Sequence, residues 1–174
     1  MLKHLWVLFV GLAGALAATE LRAQSQTPKP CSTEQHRAFD FWLGDWRVTA
    51  NDKFAGSNSI TLEQEGCVLR ENWVSASPGY TGTSVNAYNS AKQQWQQLWV
   101  DNQGGMLELS GNLVEDQMVL SSLAVEDESG KSQVNRITWS KEADGLVRQK
   151  WDLLVDGKVE KVLFDGLYRP VEGQ

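Results

Sequence analysis

Val147-Arg148-Gln149-Lys150-Trp151-Asp152-Leu153-Leu154-Val155 is followed at once by Asp156-Gly157 and then by a second run over 159–168. Taking alternate residues places Val147, Gln149, Trp151 and Leu153 on one face and Arg148, Lys150 and Asp152 on the other. A period of two, with a largely apolar face and a charged one, describes a strand buried on one side. Asp-Gly suits a tight hairpin turn, so the two runs predict neighbouring antiparallel strands.

The same reading extends back along the chain. It predicts strands over 46–50, 59–64, 68–75, 81–89, 95–101, 106–112, 117–125, 133–140, 147–155 and 159–168. Asn51-Asp52, Glu65-Gly66, Ser77-Pro78-Gly79, Gln103-Gly104-Gly105, Glu115-Asp116, Ser129-Gly130 and Asp144-Gly145 separate them with turn chemistry. Connections this tight leave no room for parallel crossovers, which need about a dozen residues. An open meander would leave two unpaired edges, and closure removes them. The expected fold is therefore all-β: a closed, antiparallel, up-and-down barrel of about ten strands over 39–170.

The beginning of the chain reads differently. Lys3 and His4 precede a stretch from Leu5 to Ala18 in which every residue is apolar or glycine. That run is too short for a bilayer core of about 30 Å, and it has the form of an export signal. A signal over 1–23 is expected, with cleavage after Ala23, or alternatively after Ala17 or Ala18. Pro28-Lys29-Pro30 before Cys31 is not a lipoprotein signal, so neither a lipid anchor nor a membrane span is expected in the mature chain. The expected location is the periplasm or the exterior.

Without Lys3, Arg22 and Glu20, 14 basic and 21 acidic side chains remain of 16 and 22, a formal charge of −7. Nucleic acid is excluded as a partner, because phosphate binding needs clustered Lys and Arg. Residues 24–38 read as a polar leader ending in a short helix over 34–41, capped by Ser32 or Thr33, and 171–174 as a tail. Cys31 and Cys67 are the only cysteines. In an oxidising compartment such a pair forms a disulfide more often than two thiols, although a free, reactive Cys67 is the alternative.

Seven tryptophans follow the signal, at 42, 46, 73, 95, 99, 139 and 151. Alternation aligns Leu69, Glu71 and Trp73 with Trp95, Gln97 and Trp99, with Asn135, Ile137 and Trp139, and with Val147, Gln149, Trp151 and Leu153. Glu160, Val162 and Phe164 complete that inward set. Unpaired buried polar groups cost roughly 1–3 kcal/mol each, so the inward amides and carboxyl point to a cavity holding water or a ligand with a polar end. The candidate ligand-binding residues are Glu71, Trp73, Tyr88, Gln97, Trp99, Asn135, Trp139, Gln149 and Trp151. A solid core, with the amides bonded to one another, is the alternative. Glu71, beside Trp73, is the one candidate acid or base, since burial would raise its pKa; pairing with an inward Arg or Gln is the other reading.

Phe39-Asp40-Phe41-Trp42-Leu43-Gly44-Asp45-Trp46 resembles the start of the first strand in lipocalins and their calycin relatives. Gly66, Leu69, Glu71 and Trp73, then Tyr88-Asn89, Trp95, Trp99-Val100-Asp101 and Gly104, and a closing Asp165-Gly166-x-Tyr168-Arg169, extend the pattern. Together they are similar to a family of exported bacterial lipocalin-like barrels of unassigned function. The resemblance implies that Trp46 closes one end of the barrel and that Arg169 stacks on it as a cation–π pair. Haem-carrying relatives place a histidine on a late strand, whereas His36 precedes the barrel.

That scarcity of histidine bounds the chemistry. Two cysteines and one histidine after the signal cannot make a closed tetrahedral zinc site, and no Gly-x-Ser-x-Gly turn or phosphate loop is present. No cofactor or metal is expected. Carboxylate chemistry using Glu71, Asp101 and Glu108 stays formally open. The expected function is the carriage of a small, largely hydrophobic or amphipathic molecule. A Glu71-dependent isomerase, cyclase or hydrolase, and a solid-cored envelope accessory protein, are the alternatives.

Overall fold

The computed structural model describes residues 29–171. The expected signal over 1–23, the leader residues 24–28 and the end of the tail, 172–174, lie outside the described residues.

The strands are β1 (Gly44–Ala50), β2 (Lys53–Glu63), β3 (Val68–Ser75), β4 (Thr81–Asn89), β5 (Gln94–Asp101), β6 (Met106–Val114), β7 (Gln117–Ser121), β8 (Val125–Glu126), β9 (Ser132–Lys141), β10 (Val147–Val155) and β11 (Lys158–Pro170). From β1 to β7 each pairs with the next; β7 then pairs with β9, β9 with β10, β10 with β11, and β11 returns to β1. Every pairing is antiparallel. The result is the expected ten-stranded closed barrel, compatible with a calycin-like fold. The two-residue β8 pairs only with β9, outside the ring.

Local sequence explains most boundaries. Asn51 and Asp52 both adopt positive φ, 50° and 59°, as do Asp156 and Gly157 at 49° and 78°. Those are the conformations a two-residue hairpin of matching twist requires. Three departures from alternation carry the differences from expectation. Ala55 is an extra residue in β2, between the pairs Val48–Gly56 and Thr49–Phe54, and β2 begins at Lys53 rather than at 59. In β11 the register with β10 shifts twice, leaving Leu163 and Glu160 as extra residues. Such bulges break the period of two, so Glu160 and Val162 are exposed instead of inward, and Leu163, although exposed, lines the cavity beside Phe164. Beyond Ser121 the expected continuation to 125 ends because Ser122 turns away: its amide donates to the Asn135 carbonyl and its hydroxyl accepts from the Asn135 amide at 3.0 Å. On the outer side, Asp152 is buried beneath Arg136 and Lys150, whose nitrogens lie 3.5 and 3.1 Å from its carboxylate.

One end of the barrel is plugged. The helix α1 spans only Glu34–Arg37, shorter than expected, with Thr33 as its cap, and a single turn over Asp40–Trp42 follows. Phe39 and Trp42 are fully buried at this base. Phe39 stacks on Trp42 at 5.0 Å and meets Trp139 and Trp95 edge-on at 5.1 and 5.6 Å. Burial of each such ring contributes roughly 1.5–3 kcal/mol. Arg37 donates to the Gly66 carbonyl, the Trp95 indole donates to the Gln35 carbonyl at 2.9 Å, and Cys31 is bonded to Cys67, so the segment is tied to the barrel at three points.

Trp46 is buried at the same end, but Arg169 does not stack on it. The β1–β11 register sets Arg169 opposite Arg47 and Pro170 opposite Trp46, which puts the guanidinium on the outer face. Trp46 instead meets Tyr168 edge-on at 6.1 Å and donates to the Trp42 carbonyl at 2.9 Å. The cation–π contact of β1 is on the outside, with Arg47 4.1 Å from the Phe54 ring.

Candidate functional site

The other end of the barrel is open. A cavity of about 280 Å³ runs inward from the connections at 51–52, 76–80, 102–105 and 156–157. Its walls are Ala55, Trp73, Ser75, Tyr80, Trp99, Leu107, Ile137, Trp151, Leu163 and Phe164, and its inner end is made by Glu71, Gln97, Gln149 and Tyr168.

The aromatic walls rest on glycines. A Cβ on Gly82 would sit 2.1 Å from the Trp99 indole, one on Gly56 would sit 2.6 Å from Trp73, and one on Gly166 would sit 2.4 Å from Phe164. Strand glycines commonly mark such close approach. Trp73 and Phe164 also meet edge-to-face at 6.3 Å across the cavity wall. The rings are thereby laid along the strands, and the space between the walls stays free.

A chain of hydrogen bonds crosses the inner end. Gln97 donates to Asn86 at 2.7 Å, Asn86 to Ser84 at 2.8 Å, and Ser84 to Glu71 Oε2 at 2.6 Å. From the other side Asn58 donates to Glu71 Oε1 at 2.7 Å and to the Tyr168 hydroxyl at 3.4 Å, and that hydroxyl donates to Gln149 Oε1. The order of donors is forced, because Asn86 Nδ2 also donates to the Leu69 carbonyl, leaving its Oδ1 to accept from Gln97. Both carboxylate oxygens of Glu71 are therefore engaged by neutral donors. Among the described residues, Asn58 Oδ1 is the one atom of this chain of hydrogen bonds that is buried without a partner.

Burial dominates the electrostatics here. Desolvation pushes the Glu71 carboxyl above its usual range, against the opposing pull of the Ser84 and Asn58 hydrogen bonds. The Tyr168 hydroxyl is pushed well above its usual value by burial and by the neighbouring Glu71. At the rim, Tyr80 donates to Asp101 Oδ2 at 3.2 Å. Amide hydrogen bonds from Gly105 and Gln103 hold the Asp101 carboxyl low.

Six of the nine expected ligand-binding residues line this cavity: Glu71, Trp73, Gln97, Trp99, Gln149 and Trp151. Trp139 faces inward but is fully buried at the base against Phe39 and Trp42. Tyr88 lies near α1, where it meets the His36 ring at 5.0 Å and lines a separate groove with Gln35 and Leu113. Asn135 shares the face of Ile137 and Trp151 and accepts from the Trp151 indole at 2.9 Å, but it does not line the cavity. Glu71, Asp101 and Glu108 do not converge, since Glu108 is exposed opposite Leu98 on the outer face. The polar residues missed from sequence, Asn58, Ser84 and Asn86, share one inward alternation with Glu71 and Gln97.

Among the described residues, no helix is long and apolar enough to cross a membrane, and no group of three or more His, Cys, Asp and Glu side chains converges. Neither the family models nor the curated proteins searched gave a match to this chain.

Proposed function

We propose that this chain is an exported carrier whose barrel takes up a small, largely hydrophobic or amphipathic molecule through its open end. The observation that carries this reading is the cavity of about 280 Å³ between Trp73, Trp99, Trp151 and Phe164, with Glu71, Gln97, Gln149 and Tyr168 gathered at its inner end. Interiors are ordinarily packed with few voids larger than a water molecule, so a barrel kept only for stability would fill that space. Apolar walls with a few convergent polar groups are the usual composition of a small-molecule site. The Cys31–Cys67 bridge supports export to the periplasm or exterior, where disulfides persist.

Tryptophan emission of the purified protein, titrated with apolar and amphipathic compounds of graded size, tests the reading. Saturable quenching or a blue shift that disappears in Trp99→Ala is the expected result. Silence across the panel, in a protein purified free of any bound molecule, would end the carrier assignment.

A Glu71-dependent enzyme is the second reading, favoured by the raised carboxyl facing the cavity. Turnover that survives Glu71→Gln would remove it.

A further inference from the structure

Within that carrier reading, we propose that the molecule held in the cavity is an organic cation, a quaternary ammonium or protonated amine, seated among Trp73, Trp99 and Trp151 with Glu71 as its counter-charge. Four observations converge on positive charge. Glu71 reaches the cavity yet is 4% exposed, and every side chain bonded to it is neutral. A buried carboxylate without a cationic partner carries a large desolvation cost, and a bound cation would offset it.

The walls are the second observation. Three tryptophans and a phenylalanine surround a space whose inner end holds the Glu71 carboxyl group. Aromatic rings attract cations through their quadrupoles, tryptophan most strongly, and grouped rings are a general device for holding quaternary ammonium groups.

The third observation concerns what is missing from the lining. Among the described residues no Lys or Arg contributes to the cavity, and Lys158 and Lys161 of β11 are exposed and outside it. An anionic ligand such as a fatty-acid carboxylate would meet Glu71 with nothing to neutralise either charge. The fourth lies at the mouth, where Asp101 stays ionised beside Tyr80, placing negative charge on the entry route.

Three probes of one shape separate the possibilities on the unmodified protein: choline, dimethylbutanol with carbon in place of the quaternary nitrogen, and dimethylbutanoate. Followed by tryptophan emission, choline should bind roughly tenfold or more tighter than dimethylbutanol, and dimethylbutanoate weakest of all. In Glu71→Gln the advantage of choline over dimethylbutanol should shrink by a similar factor. Dimethylbutanol or dimethylbutanoate binding as tightly as choline would overturn the cation assignment and leave the carrier reading standing. Failure of all three probes together with the graded panel would remove both. The comparison among the probes needs no variant to fold.

Discussion

Asn58 donates to Glu71 at 2.7 Å although the two are not opposite one another: Asn58 pairs with Trp73, and Glu71 with Ile60. The bond therefore runs diagonally across β2 and β3, within the reach of an amide and a carboxylate. Asn58 also supplies the link to Tyr168, so it joins the two halves of the polar chain. Replacing it by Ala leaves one Glu71 oxygen and the Tyr168 hydroxyl short of a donor. The expected cost is about 1–3 kcal/mol, read from denaturant unfolding. A change below a few tenths of that would mean water restores the chain without difficulty.

Glu71 should govern part of the stability profile against pH. Burial raises its folded-state pKa above the usual 4.5, so the folded chain holds this proton more tightly than the unfolded one. The stabilising contribution is complete below pH 4.5 and is lost as pH rises through the raised folded value. Ser84 and Asn58 are neutral, and Tyr168, the ionisable neighbour, stays protonated over that range. Subtracting the profile of Glu71→Gln cancels the other titrating groups. The native protein should lose stability relative to the variant as pH rises, and parallel profiles would show that Glu71 is not desolvated as its burial implies.

Gly82 should tolerate no side chain. An added Cβ would lie 2.1 Å from Cζ2 and 2.3 Å from Cη2 of Trp99. Gly82→Ala must push the indole into the cavity, at a cost of roughly 1–3 kcal/mol. Any molecule that binds among the tryptophans should bind more weakly. Trp99→Leu combined with Gly82→Ala should recover part of the loss, a coupling that a double-mutant cycle measures. Strict additivity would place the two residues out of contact.

Alternation decided the faces of the strands, and so Glu71, Gln97, Trp73, Trp99 and Trp151 could be read as inward. It carries no information on depth. Trp139 and Trp151 alternate in the same way, yet one packs on Phe39 and the other lines the cavity, because only the base receives the 39–42 plug. Bulges are equally silent in a single sequence. Alternation alone places Glu160 and Val162 inward, because nothing in their residue types marks Leu163 and Glu160 as extra positions. Asn58, Ser84 and Asn86 have turn-like side chains, and their burial follows from pairing with Glu71 and Gln97 across strands. Arg169 failed for a simpler reason: counting from Trp46 along β1 fixes its partner as Pro170, one residue on, and one residue reverses the face.

The disulfide should stabilise the protein without being what holds the plug in place. Cys31 and Cys67 close a span of 36 residues, worth roughly 3–4 kcal/mol through restriction of the unfolded chain. Its removal acts chiefly on the unfolded state, whereas the plug has its own attachments in the folded one. Arg37 still reaches the Gly66 carbonyl, Trp95 still donates to Gln35, and Phe39 and Trp42 remain buried among Trp95, Trp139 and Tyr168. Replacing both cysteines by Ser should therefore lower global stability by about that amount, with amide exchange over 34–42 rising only in step with global unfolding. Phe39→Ala makes the contrast: it opens a void in the base and should cost about 3–5 kcal/mol with the bridge intact. If the double-Ser protein instead exchanged 34–42 far faster than its barrel strands, the bridge, and not the aromatic packing, would be the element that seats the plug.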